Sequence, residues 1–493
     1  MGLVRVRLIA KYFGQGADAM AADAFNAAFR IPNLLQNLFG EGALSGSFIP
    51  VHAALRARDD HDSAAQTARA FFALLSLAIA VLVLLGVLGA PLITELLVPG
   101  FTGSKRDLTV RLVRILFPGA GVLVAASWCL AVLNSHGKFL LSYTAPVAWN
   151  AAMIATLVFF HQGRELDQLA IYLGWASVAG SVLQFAVMWP SAWRLSRHDG
   201  RFAITEPVRQ IGRNFVPITV SRGAVQLTGY IDQYIASWLP TGAVTGLSNA
   251  QLLYTLPVSL FGTAISATEL PALSGDATRD GYGPFRARID AGLSRLAFFI
   301  IPSAAAFIAL GDIIAGAVLQ TGRFRVEDAQ YVWGILAGSS IGLLAATMGR
   351  LYSVAHFALG DAKRPLRFAT ARLAVAGVLG YVCALLVPRW LGIPAEWGAA
   401  GLTATAGVAG WIEFALLRRS LNARIGPTGL RASYVVRLWT AAIVAAALAW
   451  GARLALPPLN PILRGAIVLP IFGAVYFGVA AAAGIPIPGL RRR

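Results

Sequence analysis

The sequence predicts an all-α polytopic membrane protein, and three observations predict it. Of 493 residues, 57% are hydrophobic and only 13% charged, where soluble domains carry about 25% charged residues. Mean hydropathy is +0.66. Apolar runs of about 20 residues, each able to cross a hydrocarbon core, recur along the whole chain. The net charge of +18, from 41 basic and 23 acidic residues, does not point to nucleic acid, because no soluble basic domain exists to carry it. It reads as the Lys and Arg excess of short cytoplasmic loops. Cys129 and Cys383 sit far apart in apolar runs and read as small core residues.

The elements follow in order. The first helix, Gly2 to Phe13, is short for a crossing and reads as partly re-entrant or as the remainder of a longer helix. Arg5, Arg7 and Lys11 interrupt any signal-peptide core. The second span is the stretch from Asp23 to Pro50, DAFNAAFRIPNLLQNLFGEGALSGSFIP. Spans near 70–97, 109–134, 142–160 and 168–193 come next. After the basic linker 194–213 they continue near 214–238, 246–273, 291–319, 329–358, 367–388, 397–417, 433–455 and 461–484. This predicts about fourteen transmembrane helices: an N-lobe of six at 1–200, a C-lobe of six at 201–425, and a C-terminal pair with a basic tail at 426–493. Two six-helix lobes around a central cavity is the plan of an alternating-access transporter. Basic residues concentrate in alternate loops, so both termini are expected in the cytoplasm.

Polar groups within the spans carry the functional signal, since a charge at mid-bilayer must face a cavity or a partner. On one helix, Asp23, Asn26, Arg30, Asn33, Asn37 and Glu41 fall at steps of three and four and share a narrow face. Asp23 and Arg30 lie about 10 Å apart in rise, too far for a direct pair. Pro32 removes a helical bond beside Arg30 and predicts a kink. In the seventh span, Arg222, Gln226, Gly229, Gln233 and Ser237 share a face, with Asp232 at its edge. Arg5 is a third candidate for the interior, or it snorkels to the interface. Several inward guanidinium groups would suit a phosphate or pyrophosphate. Glu269, Arg350 and Asp361 lie near span ends and read as interfacial; Glu413 lies deeper. The six histidines show no ligand spacing, FGQG near residue 13 reads as a loop rather than a phosphate cradle, and no metal or nucleotide motif appears.

The stretch ADAFNAAFRIPNLLQNLFGEGALSGSFIP resembles the signature of the MurJ/MviN lipid II flippases of the MOP exporter superfamily. RILFPGAGVLVAASWCLAVLNSHGKF, LQTGRFRVEDA and FALGDAKRPLRFA agree in order, so the resemblance spans nearly the whole chain. It implies fourteen helices and movement of undecaprenyl-pyrophosphate-linked peptidoglycan precursor, lipid II, between the leaflets of the bacterial inner membrane. It also implies arginines that hold the pyrophosphate and a lipid-tail groove on the last two helices. Arg5, Asp23 and Glu41 match family positions. Gln36 stands where the family has its second-helix arginine, Leu252 where it has its eighth-helix arginine, and another first-helix arginine would fall before Met1. The expected substrate-binding set is therefore Arg5, Asp23, Asn26, Arg30, Asn33, Gln36, Glu41, Arg222 and Gln226, with Arg222 and Arg30 supplying the displaced charge. Asp232 is the candidate ion or proton site. No cofactor is expected; energy would come from the membrane potential, an ion gradient such as that of a monovalent cation, or downstream consumption. Expected partners are lipid II, membrane lipids and, as candidates, cell-wall synthesis proteins. The rival readings are a MOP-type exporter of another polyprenyl-linked glycan or small molecule, and a polyprenyl-lipid glycosyltransferase. The latter needs catalytic carboxylates on a large outer loop, and the loops here are short.

Overall fold

A computed structural model describes the chain except residues 17–18, 198–202, 264–268, 270–272, 274, 276–281 and 489–493, and except the side chains at 41, 220–228 and 263. The regular structure of the described residues is helical, with no strand. Cα packing divides it into two compact units, Met1–Val244 and Thr245–Arg493.

The first unit contains α1 (Gly2–Phe13), α2 (Met20–Phe39), α3 (Glu41–Ala57), α4 (His61–Leu88), α5 (Ala90–Leu97), α6 (Gly103–Ser135), α7 (Phe139–Thr144), α8 (Pro146–Phe160), α9 (Leu166–Leu195) and α10 (Glu206–Ala236). Helix α6 is its hub and packs on α2, α3, α4 and α9. Leu112, Leu116, Trp128 and Cys129 of α6 are fully buried there. Lipid tails are as apolar as leucine, so such helices associate through close packing and interhelical hydrogen bonds rather than water exclusion. The start of α4 follows from its N-cap, where Asp60 Oδ1 accepts the Ser63 N–H at 3.1 Å.

The stretch 23–50 is not one helix. It breaks at Gly40 (φ −93°, ψ −131°), between α2 and α3. A Cβ on Gly40 would lie 2.3 Å from the Gln36 carbonyl oxygen and 2.7 Å from Ser127 Oγ of α6. Glycine is therefore required where the turn passes so close to α6. The face counted from Asp23 ends with α2, and Glu41 begins a new helix.

The second unit takes up α11 (Ala243–Pro257), which continues into a π-helical turn, Val258–Thr263. Then come α12 (Gly283–Leu319), α13 (Val326–Ser340), α14 (Leu343–Ala358), α15 (Lys363–Tyr381), a second π turn (Val382–Leu386), α16 (Val387–Leu391), α17 (Gly398–Ile425), α18 (Ala432–Ala455) and α19 (Pro461–Ala482). Here α12 packs on α13, α14, α18 and α19, and α17 packs on α13, α14 and α15. Arg453 of α18 and Asp312 of α12 join them through a two-pronged ion pair at 2.7 and 3.2 Å.

Among the described residues nine helical segments are long and apolar enough to cross a membrane, or ten if α13 and α14, bent by 42°, form one span. Helices α1, α2, α3, α10 and α11 are not among them, so the number fourteen rests on the sequence pattern. The polar faces predicted from sequence lie on members of this second group. Of the two cysteines, Cys129 is buried and Cys383 half-buried, and both are free.

Candidate functional site

Three of the expected site residues are engaged within the first unit, each held by a different physical device. Arg5 of α1 lies over two aromatic rings, its guanidinium carbon 4.8 Å from the Trp149 centroid and 5.4 Å from that of Phe29. The two rings stack on each other at 5.6 Å. Nη1 of Arg5 approaches Met153 Sδ at 3.9 Å, and its Nε–H is buried with no acceptor among the described residues. A cation held on ring faces keeps most of its hydrogen-bonding capacity, which suits it to receive an anion. Arg5 thus packs against α2 and α8.

Arg30 donates through Nη1 to the Gly229 carbonyl of α10. The seam is reciprocal: Tyr230 Oη donates to the Arg30 carbonyl at 3.2 Å, and Gln233 Nε2 to the Ala27 carbonyl at 3.5 Å. Thr219 Oγ1 donates to the Leu38 carbonyl at 3.3 Å at the other end. A chain of side-chain to main-chain bonds thus runs along α2 and α10. Pro32, one turn from this seam, leaves the Ala28 carbonyl without its helical donor.

Asp23 is engaged by partners from distant parts of the chain. Its carboxylate is 1% exposed, and Oδ2 accepts Lys105 Nζ at 2.6 Å and the Gly242 N–H at 2.8 Å. Lys105 lies in the first turn of α6. Gln15, in the FGQG segment, donates through Nε2 to the Gly242 carbonyl. Gly242 itself has φ +99°, and a Cβ there would lie 2.9 Å from the Gly16 main chain, so only glycine fits. Gly100 completes the cluster by donating its N–H to Ser237 Oγ at 3.1 Å. The loops after α1, α5 and α10 are thereby tied into one knot with the start of α2.

Of the remaining candidates, Asn26 and Gln36 are half-buried and Asn33 is exposed. The side chains of Glu41, Arg222 and Gln226 lie outside the described residues, so Arg30 alone of the proposed arginine pair can be placed. Glu269 is 4% exposed, with Arg295 at 3.1 Å and Arg288 at 3.8 Å. Sequence reasoning missed Lys105 and Gly242. The first was hidden by an early helix start, and the second was one glycine among 50. No cluster of three or more His, Cys, Asp or Glu able to hold a metal occurs among the described residues.

Residues 9–462 match a family model described as lipid II flippase MurJ. Among curated proteins, the lipid II flippase MurJ of Burkholderia cenocepacia is 31% identical over 518 aligned residues, covering 100% of this chain and 96% of that one. A probable lipid II flippase MurJ of Bdellovibrio bacteriovorus is 30% identical over 430 residues, covering 85% and 79%. Among solved structures, a lipid II flippase MurJ in an inward closed conformation superposes with TM-score 0.79 at 22% identity, over 98% of this chain and 96% of that one. A multidrug-resistance MATE transporter of the MOP superfamily gives TM-score 0.67 at 15% identity, over 86% and 94%. The last two are likenesses of fold.

Proposed function

Because the chain belongs to the MurJ family of lipid II flippases, we propose that it is an integral membrane transporter, not an enzyme, and that its cargo is lipid II. It carries the undecaprenyl-pyrophosphate disaccharide-pentapeptide from the inner to the outer leaflet of the bacterial cytoplasmic membrane, with both termini in the cytoplasm. The observation that carries the reading is the family match over residues 9–462. The first unit supplies chemistry that suits the cargo.

In this reading Arg5, with a buried donor still unsatisfied, receives a pyrophosphate oxygen, and Arg222 adds charge from α10. The six-helix lobes at 1–200 and 201–425 rock against each other, with the pair at 426–493 beside them. The Arg30 seam and the Asp23 knot both tie α2 to α10 and the loop that follows it. By alternation of the spans, the loops after α1, α5 and α10 all lie outside. Release outward then requires that Lys105 and Gly242 leave Asp23. The bonds are each modest, about 1–3 kcal/mol for a charge-assisted hydrogen bond, so the knot is strong enough to close and weak enough to open. Asp232, beside Arg30, is the proposed ion or proton site that couples opening to the membrane potential or a cation gradient.

Translocation of fluorescent lipid II in proteoliposomes, together with rescue of a bacterium depleted of its own lipid II flippase, tests the assignment. Rescue and saturable translocation are expected. Failure of both with folded protein in the membrane would overturn it.

A further inference from the structure

The aromatic floor beneath Arg5 is anchored from a third helix. Trp149 of α8 donates its indole N–H to the Ser177 carbonyl of α9 at 3.1 Å and approaches Ser177 Oγ at 3.3 Å. Gly180, almost one turn further along α9, permits this close packing. A Cβ there would lie 2.8 Å from Trp149 Cδ1 and 2.9 Å from the Trp149 carbonyl oxygen. Trp149 stacks in turn on Phe29 of α2 at 5.6 Å, and Phe29 stacks on Phe25 at 5.2 Å. Phe25 is fully buried, so the row of rings is rooted in the core at one end and tied to α9 at the other.

On this floor the Arg5 guanidinium carbon lies 4.8 Å from the Trp149 centroid and 5.4 Å from that of Phe29, with Nη1 at 3.9 Å from Met153 Sδ. Met153 is one helical turn from Trp149 on α8. All three partners are neutral, so the positive charge is held without being cancelled. A carboxylate in their place would compete with an incoming anion, whereas ring faces attract a cation and leave its in-plane N–H groups able to donate. With Nη1 turned to the sulfur, the opposite edge of the fork, Nε and Nη2, is the edge that matches two phosphate oxygens. The Nε–H on that edge is buried with no acceptor among the described residues. A buried donor left unpaired is costly, and an arriving oxygen relieves that cost.

We propose that Trp149, together with Phe29, is a positioning residue for Arg5: the rings orient the guanidinium so that its Nε edge meets a phosphate oxygen of the transported lipid. This rests on the flippase reading and adds to it the residues that aim its anion donor. Aromatic side chains turn about only two torsions, so a floor already anchored by Ser177 loses little freedom when the ligand binds. Rings that merely fastened α1 to α2 and α8 would act on stability whether or not Arg5 were present.

Lipid II binding to the detergent-solubilised protein, measured by native mass spectrometry, tests this in a double-mutant cycle. Trp149→Leu should weaken binding about threefold to thirtyfold, the loss of a partly desolvated cation–π contact. Trp149→Phe keeps a ring face and should stay within about threefold of wild type. Arg5→Ala should weaken binding about tenfold or more, the effect of losing a charge-assisted hydrogen bond. In the Arg5→Ala background Trp149→Leu should cost nothing further, because the group it aims is gone. Phe29→Leu leaves the Trp149–Ser177 anchor intact and runs the same cycle if Trp149→Leu does not fold. Equal losses from the ring substitution with and without Arg5, wild-type affinity in Arg5→Ala, or a Trp149→Phe variant as weak as Trp149→Leu each overturn the positioning role. If the wild-type protein itself binds no lipid II, the flippase reading fails instead, so the two failures are distinct.

Discussion

Lys105 Nζ lies 2.6 Å from Asp23 Oδ2, and the same oxygen accepts the Gly242 N–H at 2.8 Å. The lysine side chain is 13% exposed and the aspartate 1%, so neither charge is well screened by solvent. Breaking such a pair from one side leaves an uncompensated buried charge and costs about 3–5 kcal/mol. Asp23→Ala and Lys105→Ala are each expected to lower the thermal midpoint and to reduce translocation at least tenfold. The double variant should lose less than the sum, with a coupling of about 1–3 kcal/mol. Strict additivity in a double-mutant cycle would show that the pair contributes nothing jointly.

The α2–α10 seam makes a graded prediction. Arg30→Gln removes a charged donor to the Gly229 carbonyl, with an expected loss of about 1.5–3 kcal/mol. Tyr230→Phe removes a neutral bond of 3.2 Å, with an expected loss of about 1 kcal/mol. Translocation rates and unfolding of both variants should therefore rank wild type, Tyr230→Phe, Arg30→Gln. The reverse ranking would mean that the main-chain contact of Arg30 is incidental.

Gly40→Ala places a methyl group 2.3 Å from the Gln36 carbonyl oxygen and 2.7 Å from Ser127 Oγ. Ser127 is 3% exposed and donates to the Leu123 carbonyl at 3.0 Å, so it has little room to withdraw. A destabilisation of about 1–3 kcal/mol is expected from this overpacking. Adding Ser127→Gly to Gly40→Ala should recover part of it. Thermal unfolding in detergent reads both, and an unaltered midpoint in the single variant would count against a rigid break.

His136, in the loop after α6, has a pKa lowered below its usual 6.5, chiefly by burial and further by Arg56 and Lys138. Its Nδ1–H donates to the Val132 carbonyl at 2.9 Å, the tautomer that this acceptor requires. A group with a depressed folded pKa binds fewer protons folded than unfolded. Its stabilisation is therefore present above about pH 6.5 and is lost as pH falls below that value. The thermal midpoint should drop between pH 7 and 5, and His136→Asn should flatten that slope. A slope unchanged by the substitution would place the titration elsewhere.

Much of the fold was legible in the sequence because hydropathy and helical period act through each segment alone. Nearly every long apolar run is a helix, and Asp23 and Arg30 lie on one helix, α2. What failed depended on neighbours from distant parts of the chain. Glu41 was counted on the face of α2 because nothing local marks Gly40 as a break; the close approach of Ser127, 87 positions away by subtraction, makes it one. Asp23 carries the right residue type for a cavity, yet the fold gives its carboxylate to Lys105 and a loop amide. Glu269 reads as a lone carboxylate near a span end, yet the fold gives it two arginines of α12. Spacing rules contain no term for such partners.

Gly242 gives its N–H to Asp23 and takes Gln15 on its carbonyl, which is unusual protection for a loop peptide. Its amide proton can exchange with deuterated water only when the knot is undone. That single amide is thus a clock for the proposed opening: its exchange rate would count how often the knot comes apart, and the count should quicken when lipid II is supplied.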